Sequence, residues 1–206
     1  MRRVAESFTW PFRARASTWV WGIVAVLLLP LFFLPLLGYA VSATRCAEVD
    51  PKAGPPPRLT FAHLWTGGWT AFVLLLITAP FALLVSPLSN LIDVPFASVY
   101  AVLILALPWG IVVLLWLPHA TARFAATGHP QDLFDVVASL RGVRRDFATW
   151  NAVVAAIVTG WAIGLACVGV LFVGIVPGVF YAILVSAHAA AALHHPEGSR
   201  QSPSAG

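Results

Sequence analysis

The sequence predicts an all-α, polytopic membrane protein: four full transmembrane helices, a proline-broken first apolar segment, and an amphipathic helix on the cytoplasmic surface. Three observations lead there. Of 206 residues, 60% are hydrophobic and only 10% are charged, whereas a soluble domain carries about 25% charged residues. The apolar residues gather into runs matching the roughly 20 residues that cross a hydrocarbon core about 30 Å thick. The basic residues flank those runs and form no basic stripe on a polar face, so they read as topology signals and nucleic acid is not an expected partner.

The chain divides into a basic segment (1–18), a single membrane domain (19–195) and a short polar tail (196–206) read as disordered. The apolar segments are 19–43, 69–88, 96–117, 150–168 and 173–193. In the first, Val41-Ser42-Ala43 loosely resembles a signal-peptide cleavage site, but the apolar run overshoots the usual roughly 7–15 residues, so retention is expected. The second carries Pro80 and Pro87 and the third Pro108. The stretch from Ala152 to Leu193 holds no charged residue. As one helix it would be about 63 Å long, so it is read as a hairpin of two spans turning between Cys167 and Gly174.

Between the third and fourth segments, Leu133, Val136, Leu140, Val143 and Phe147 recur at steps of three and four, which predicts one apolar helical face over 131–146. Asp132 and Asp135 sit early and Arg141, Arg144 and Arg145 late, complementing the helix dipole. Too charged to span, this helix is expected on the membrane surface, with Arg141, Arg144 and Arg145 as candidate contacts for lipid headgroups.

Orientation follows from the positive-inside rule. Arg2, Arg3, Arg13, Arg15, Arg45, Lys52, Arg58, Arg123, Arg141, Arg144, Arg145 and Arg200 all fall outside the Ser89–Pro95 turn and the hairpin tip near Gly169. Placing every basic segment in the cytoplasm requires residues 19–43 to enter and return on the same side. Pro30 and Pro35, mid-run, supply the helix break in that reading. The alternative is an ordinary fifth span. Both termini are expected in the cytoplasm.

Two stripes of small residues stand out at every fourth position: Ala152, Ala156, Gly160 and Gly164, then Gly174, Gly178, Ala182, Ser186 and Ala190. Residues four apart share a helix face, and small side chains there let backbones approach closely in lipid. The stripes can face each other within the hairpin or form a seam with a second copy.

Several short motifs carry a family likeness. Phe8-Thr9-Trp10-Pro11-Phe12, Gly38-Tyr39, and Pro57 with the Phe61–Gly68 stretch lie in the first half; Leu117-Pro118-His119-Ala120, Ala125-Ala126-Thr127-Gly128 and Phe134 lie in the second. Together, over roughly residues 8–194, they resemble a prokaryotic membrane-protein family catalogued as domain of unknown function 4013. The resemblance implies the helical membrane architecture and retention of the first run. It implies no reaction.

Chemistry-bearing residues are scarce in the apolar segments. His188 is the main ionisable exception, with His194 and His195 beyond it, and His119 or His63 as conceivable further metal ligands. A histidine bonded to a neighbouring helix is the simpler reading, so no metal and no cofactor are expected. Cys46 and Cys167 lack disulfide or zinc spacing and read as free thiols; Asp93 with Asn90 reads as a solvated turn. Phosphate-loop, zinc-protease and nucleophile-elbow motifs do not occur. The expected role is therefore a non-catalytic structural or accessory one, with the lipid bilayer and another membrane protein or itself as partners. A small-solute transporter or channel subunit, lined by Thr78, Ser86, Asn151 and His188, is the alternative, and a lipid-sensing surface protein the second.

Overall fold

The computed structural model describes residues 2–56, 63–167 and 174–194. Regular structure in them is all helical: α1 (Arg2–Ala5), α2 (Ala16–Leu27), α3 (Leu29–Val49), α4 (His63–Leu91), α5 (Ala97–Thr127), α6 (Val136–Arg145), α7 (Phe147–Ala166) and α8 (Ile175–Ala191), with short 3-10 turns at Glu6–Phe8, Trp10–Arg13 and Pro130–Leu133. Pro57, Arg58, Phe61, Gly169, His195, Arg200 and the tail 196–206 lie outside the described residues, as does most of the turn between Cys167 and Gly174.

The first apolar run folds as two unequal arms, α2 of 12 residues and α3 of 21. The break falls at Leu28 (φ −97°, ψ 32°) and not at the two prolines. Pro30 occupies the first turn of α3, and Pro35 lies inside that helix. The reason is what proline blocks. Had α2 continued, residue 30 would have owed an N–H to the Val26 carbonyl, which proline lacks, and its ring would crowd that carbonyl. In the first turn of a new helix no such donor is needed. Pro30 therefore acts upstream of its own position, while Pro35 is tolerated within α3.

The two arms run in opposite senses. The Trp10 indole donates to the Ala53 carbonyl at 2.6 Å, and the Arg13 guanidinium reaches the Pro51 and Lys52 carbonyls at 3.4 and 3.3 Å. Farther along, Ala25 of α2 and Leu36 of α3 share one buried cluster with Tyr39 and Phe180. Residues 10–13 and 51–53 thus meet at one end of the run.

At 29 and 31 residues, α4 and α5 are each roughly 45 Å long. α3 packs along both. Where α3 crosses α4, glycine lets the backbones touch: a β-carbon on Gly38 would overlap the His63 carbonyl, and one on Gly67 the Leu34 carbonyl. Past that crossing, Leu75, Leu83, Leu91, Leu103 and Leu107 are 62–82% exposed. Apolar surface this extensive is foreign to a soluble monomer. Together with α7, these helices are long and apolar enough to cross a membrane.

The run at 173–193, read as a further full span, contributes α8 of 17 residues, at the short end of the roughly 17–25 residues that cross a hydrocarbon core. It is the interior helix of the fold. Phe180, Ala182, Leu184, Val185 and residues 187–192 are buried, packed among α2, α3 and α7. A helix apolar on all sides reads alike in sequence whether protein or lipid surrounds it.

Candidate functional site

The region predicted as one amphipathic helix is a 3-10 turn, Pro130–Leu133, followed by α6. Asp135 caps α6, its carboxylate accepting from the Ala138 N–H at 2.8 Å, and Asp146 caps α7 through the Thr149 N–H at 3.1 Å. Both carboxyls are held below the usual carboxylate range, Asp135 by the Ala138 N–H and the Arg123 guanidinium, Asp146 by the Thr149 hydroxyl and N–H. Arg123 of α5 reaches Asp132 at 2.5 Å and Asp135 at 3.2 Å, tying this segment to α5.

The inner face of α6 lies on α5. Ser139 and Val143 are buried, and Gly142 sits so near the His119 ring that a side chain there would collide with it. The opposite face is open: Val137, Leu140, Arg141, Arg144 and Arg145 are all exposed. The apolar stripe read at Leu133, Val136, Leu140, Val143 and Phe147 is therefore divided. Leu133 and Val143 turn inward, while Leu140 and Phe147 turn out.

Both ends of α6 are anchored by aromatic residues whose role sequence spacing does not reveal. Phe134, just before it, packs on Trp69 and Phe72 of α4 at ring distances of 6.2 and 6.1 Å. Just after it, the Trp150 indole donates to the Leu114 carbonyl at 3.2 Å. Pro118, four residues on from Leu114, has no N–H to offer that carbonyl, and Trp150 takes its place.

The small-residue stripes meet within the chain. A β-carbon on Gly164 would press on the Gly178 carbonyl and on Ala182, and one on Gly178 would press on the Gly164 carbonyl; Gly160 faces Val185. Ala156 shares a buried cluster with Val4, Val153, Ala189 and Ala192, with Ala152 packed against it. Gly174 lies against Cys167, Ala190 is buried, and Ser186 turns its hydroxyl back to the Ala182 carbonyl at 2.8 Å.

His188 is fully buried, with Nδ1 2.8 Å from the Ser7 hydroxyl and its ring 5.0 Å from that of Trp10. The Tyr181 hydroxyl donates to the Phe8 carbonyl at 3.1 Å, so the residues before α2 close over α8. Beyond α8, His194 meets Glu48 at 3.3 Å. His63 and His119 belong elsewhere, the first beside Tyr39 and the second under α6. Among the described residues, no three His, Cys, Asp or Glu side chains are grouped to hold a metal ion. Cys46 and Cys167 are free. Burial, with the Asp50 charge behind it, pushes the Cys46 thiol up.

The polar positions considered as a solute path have different surroundings. Thr78 accepts from the Trp109 indole at 3.1 Å, His188 sits with Ser7, and Ser86 and Asn151 are exposed. Asp93 and Asn90 are exposed at the turn joining α4 to α5. Cavities of about 390 and 350 Å³ are surface grooves, one between Phe8 and Ala156, the other along Trp65, Trp69 and Phe72.

Residues 22–185 match the family described as protein of unknown function (DUF4013). The chain belongs to this family. The DUF4013 match takes in the α2–α3 turn, α4 to α7 and the Gly164–Gly178 contact, and stops short of His188. No curated protein and no solved structure matches the chain.

Proposed function

We propose that this chain is a multi-pass protein of a prokaryotic inner membrane, with a structural or accessory role in a membrane complex and no catalysis of its own. The observation that carries this reading is the exposed apolar outer half of α4 and α5, set against polar groups engaged in holding the fold together. In this reading α4, α5 and α7 cross the bilayer, and α2 with α3 forms a re-entrant hairpin. α8 then leads from the far side back to the side where α7 began, because Ser7 meets His188 and Glu48 meets His194 near its end. The basic segments then lie in the cytoplasm, as the positive-inside rule requires. α6 lies along that surface.

The test has two parts. The chain should stay with membranes through alkaline carbonate extraction, and a membrane protein should co-purify with it from mild detergent at constant ratio. Release by carbonate would overturn the membrane reading. Solute uptake by vesicles holding the purified chain alone would replace the accessory role with transport.

A further inference from the structure

We propose that the outward face of α6 binds the phosphate groups of anionic phospholipids in the bilayer surface. This rests on the reading that α4, α5 and α7 cross that bilayer. Opposite the buried Ser139 and Val143, the helix presents Val137 (62% exposed) and Leu140 (43% exposed) among Arg141, Arg144 and Arg145. Apolar side chains beside arginines on one open face suit the boundary between acyl chains and headgroups.

Position supports the choice of occupant. Phe134 is packed on Trp69 and Phe72, where the apolar stretch of α4 begins, and Trp150 is bonded to Leu114, where that of α5 ends. α6 is thus held at both ends at the level where the long apolar helices leave hydrocarbon.

The charge is also available. Nearby acids are engaged: Asp132 with Arg123, Asp135 with Arg123 and the α6 cap, Asp146 with the α7 cap. Among the described residues, none of the three arginines of α6 forms an ion pair, and Arg141 acts on the Asp135 carboxylate only at longer range. An arginine fork matches phosphate oxygens in geometry and charge.

The test uses the full chain in neutral detergent, titrated with phosphatidylglycerol or phosphatidylcholine and read by native mass spectrometry and thermal shift. Phosphatidylglycerol should bind in preference. Each Arg→Gln change at 141, 144 or 145 should weaken its apparent affinity about fivefold, and the triple change about 100-fold. The triple Arg→Lys variant should retain most of the binding. Raising salt from 0.1 to 1 M should erase the preference, since the screening length falls from about 10 to about 3 Å. Equal binding of the two lipids, an unaffected triple Gln variant, or full competition by soluble glycerol phosphate would each overturn the proposal. A chain that resists carbonate extraction yet shows no lipid preference would sink this inference alone; one released by carbonate would sink the membrane reading beneath it.

Discussion

Gly67 and Gly68 are neighbours on α4 with opposite surroundings. A β-carbon on Gly67 would collide with the Leu34 carbonyl and the Gly38 nitrogen, whereas one on Gly68 meets nothing within 4 Å. Gly→Ala inside a helix favours folding by about 0.5–1 kcal/mol when the methyl has room. At Gly67 the obstacle is backbone, which cannot rotate aside, so the overpacking cost sits near the top of its usual range, about 3 kcal/mol. The net effect of Gly67→Ala is then a destabilisation of about 2 kcal/mol, a drop in Tm of about 4–8 °C for a chain this size. Gly68→Ala should raise Tm by about 2 °C. Thermal melts in detergent, followed by tryptophan fluorescence, separate the two. Shifts of the same sign and size would refute the close α3–α4 approach.

Other outcomes follow from the same contacts. Trp150→Phe should cost about 1 kcal/mol by stranding the Leu114 carbonyl, and adding Pro118→Ala should recover most of it, because the alanine backbone supplies the missing N–H; a double-mutant cycle with no coupling would contradict this. Ser7→Ala should lower stability by about 1–2 kcal/mol through the lost hydrogen bond to buried His188, read from denaturant midpoints. Acid should fray α6 and the start of α7. The Asp135 and Asp146 carboxyls are depressed in the fold, so their contribution is complete above the ordinary carboxylate pKa of about 4 and is lost as pH falls through their lower folded values. Hydrogen-exchange protection at residues 137–140, taken relative to the intrinsic rate at each pH, should fall over that acid range in the native chain and already be low at neutral pH in Asp135→Ala.

Sequence and structure agree most where one local rule decides. The apolar stretches at α4, α5 and α7 declare themselves by length, and spacing by four points directly at Gly164 and Gly178. The Gly38–Gly67 crossing left no such trace, since an isolated glycine does not reveal which helix it touches. Pro30 and Pro35 mark that the first run breaks but not where, because proline acts on the carbonyl four residues before it. The helix at 173–193 was legible but its interior position was not, because packing against protein and exposure to lipid select the same residues. Likewise the spacing in α6 shows an apolar stripe, but only the fold shows α5 taking Val143 and leaving Leu140 outside.

The arrangement as a whole turns on the first apolar run returning to the side it came from. Single cysteines at Arg13, Lys52 and Asp93, each in a chain with Cys46 and Cys167 replaced by serine, can be challenged with an impermeant thiol reagent on intact cells. The account predicts that Asp93→Cys is labelled at once, while Arg13→Cys and Lys52→Cys react only after the membrane is opened. Labelling of Arg13→Cys and Lys52→Cys from opposite sides would contradict it.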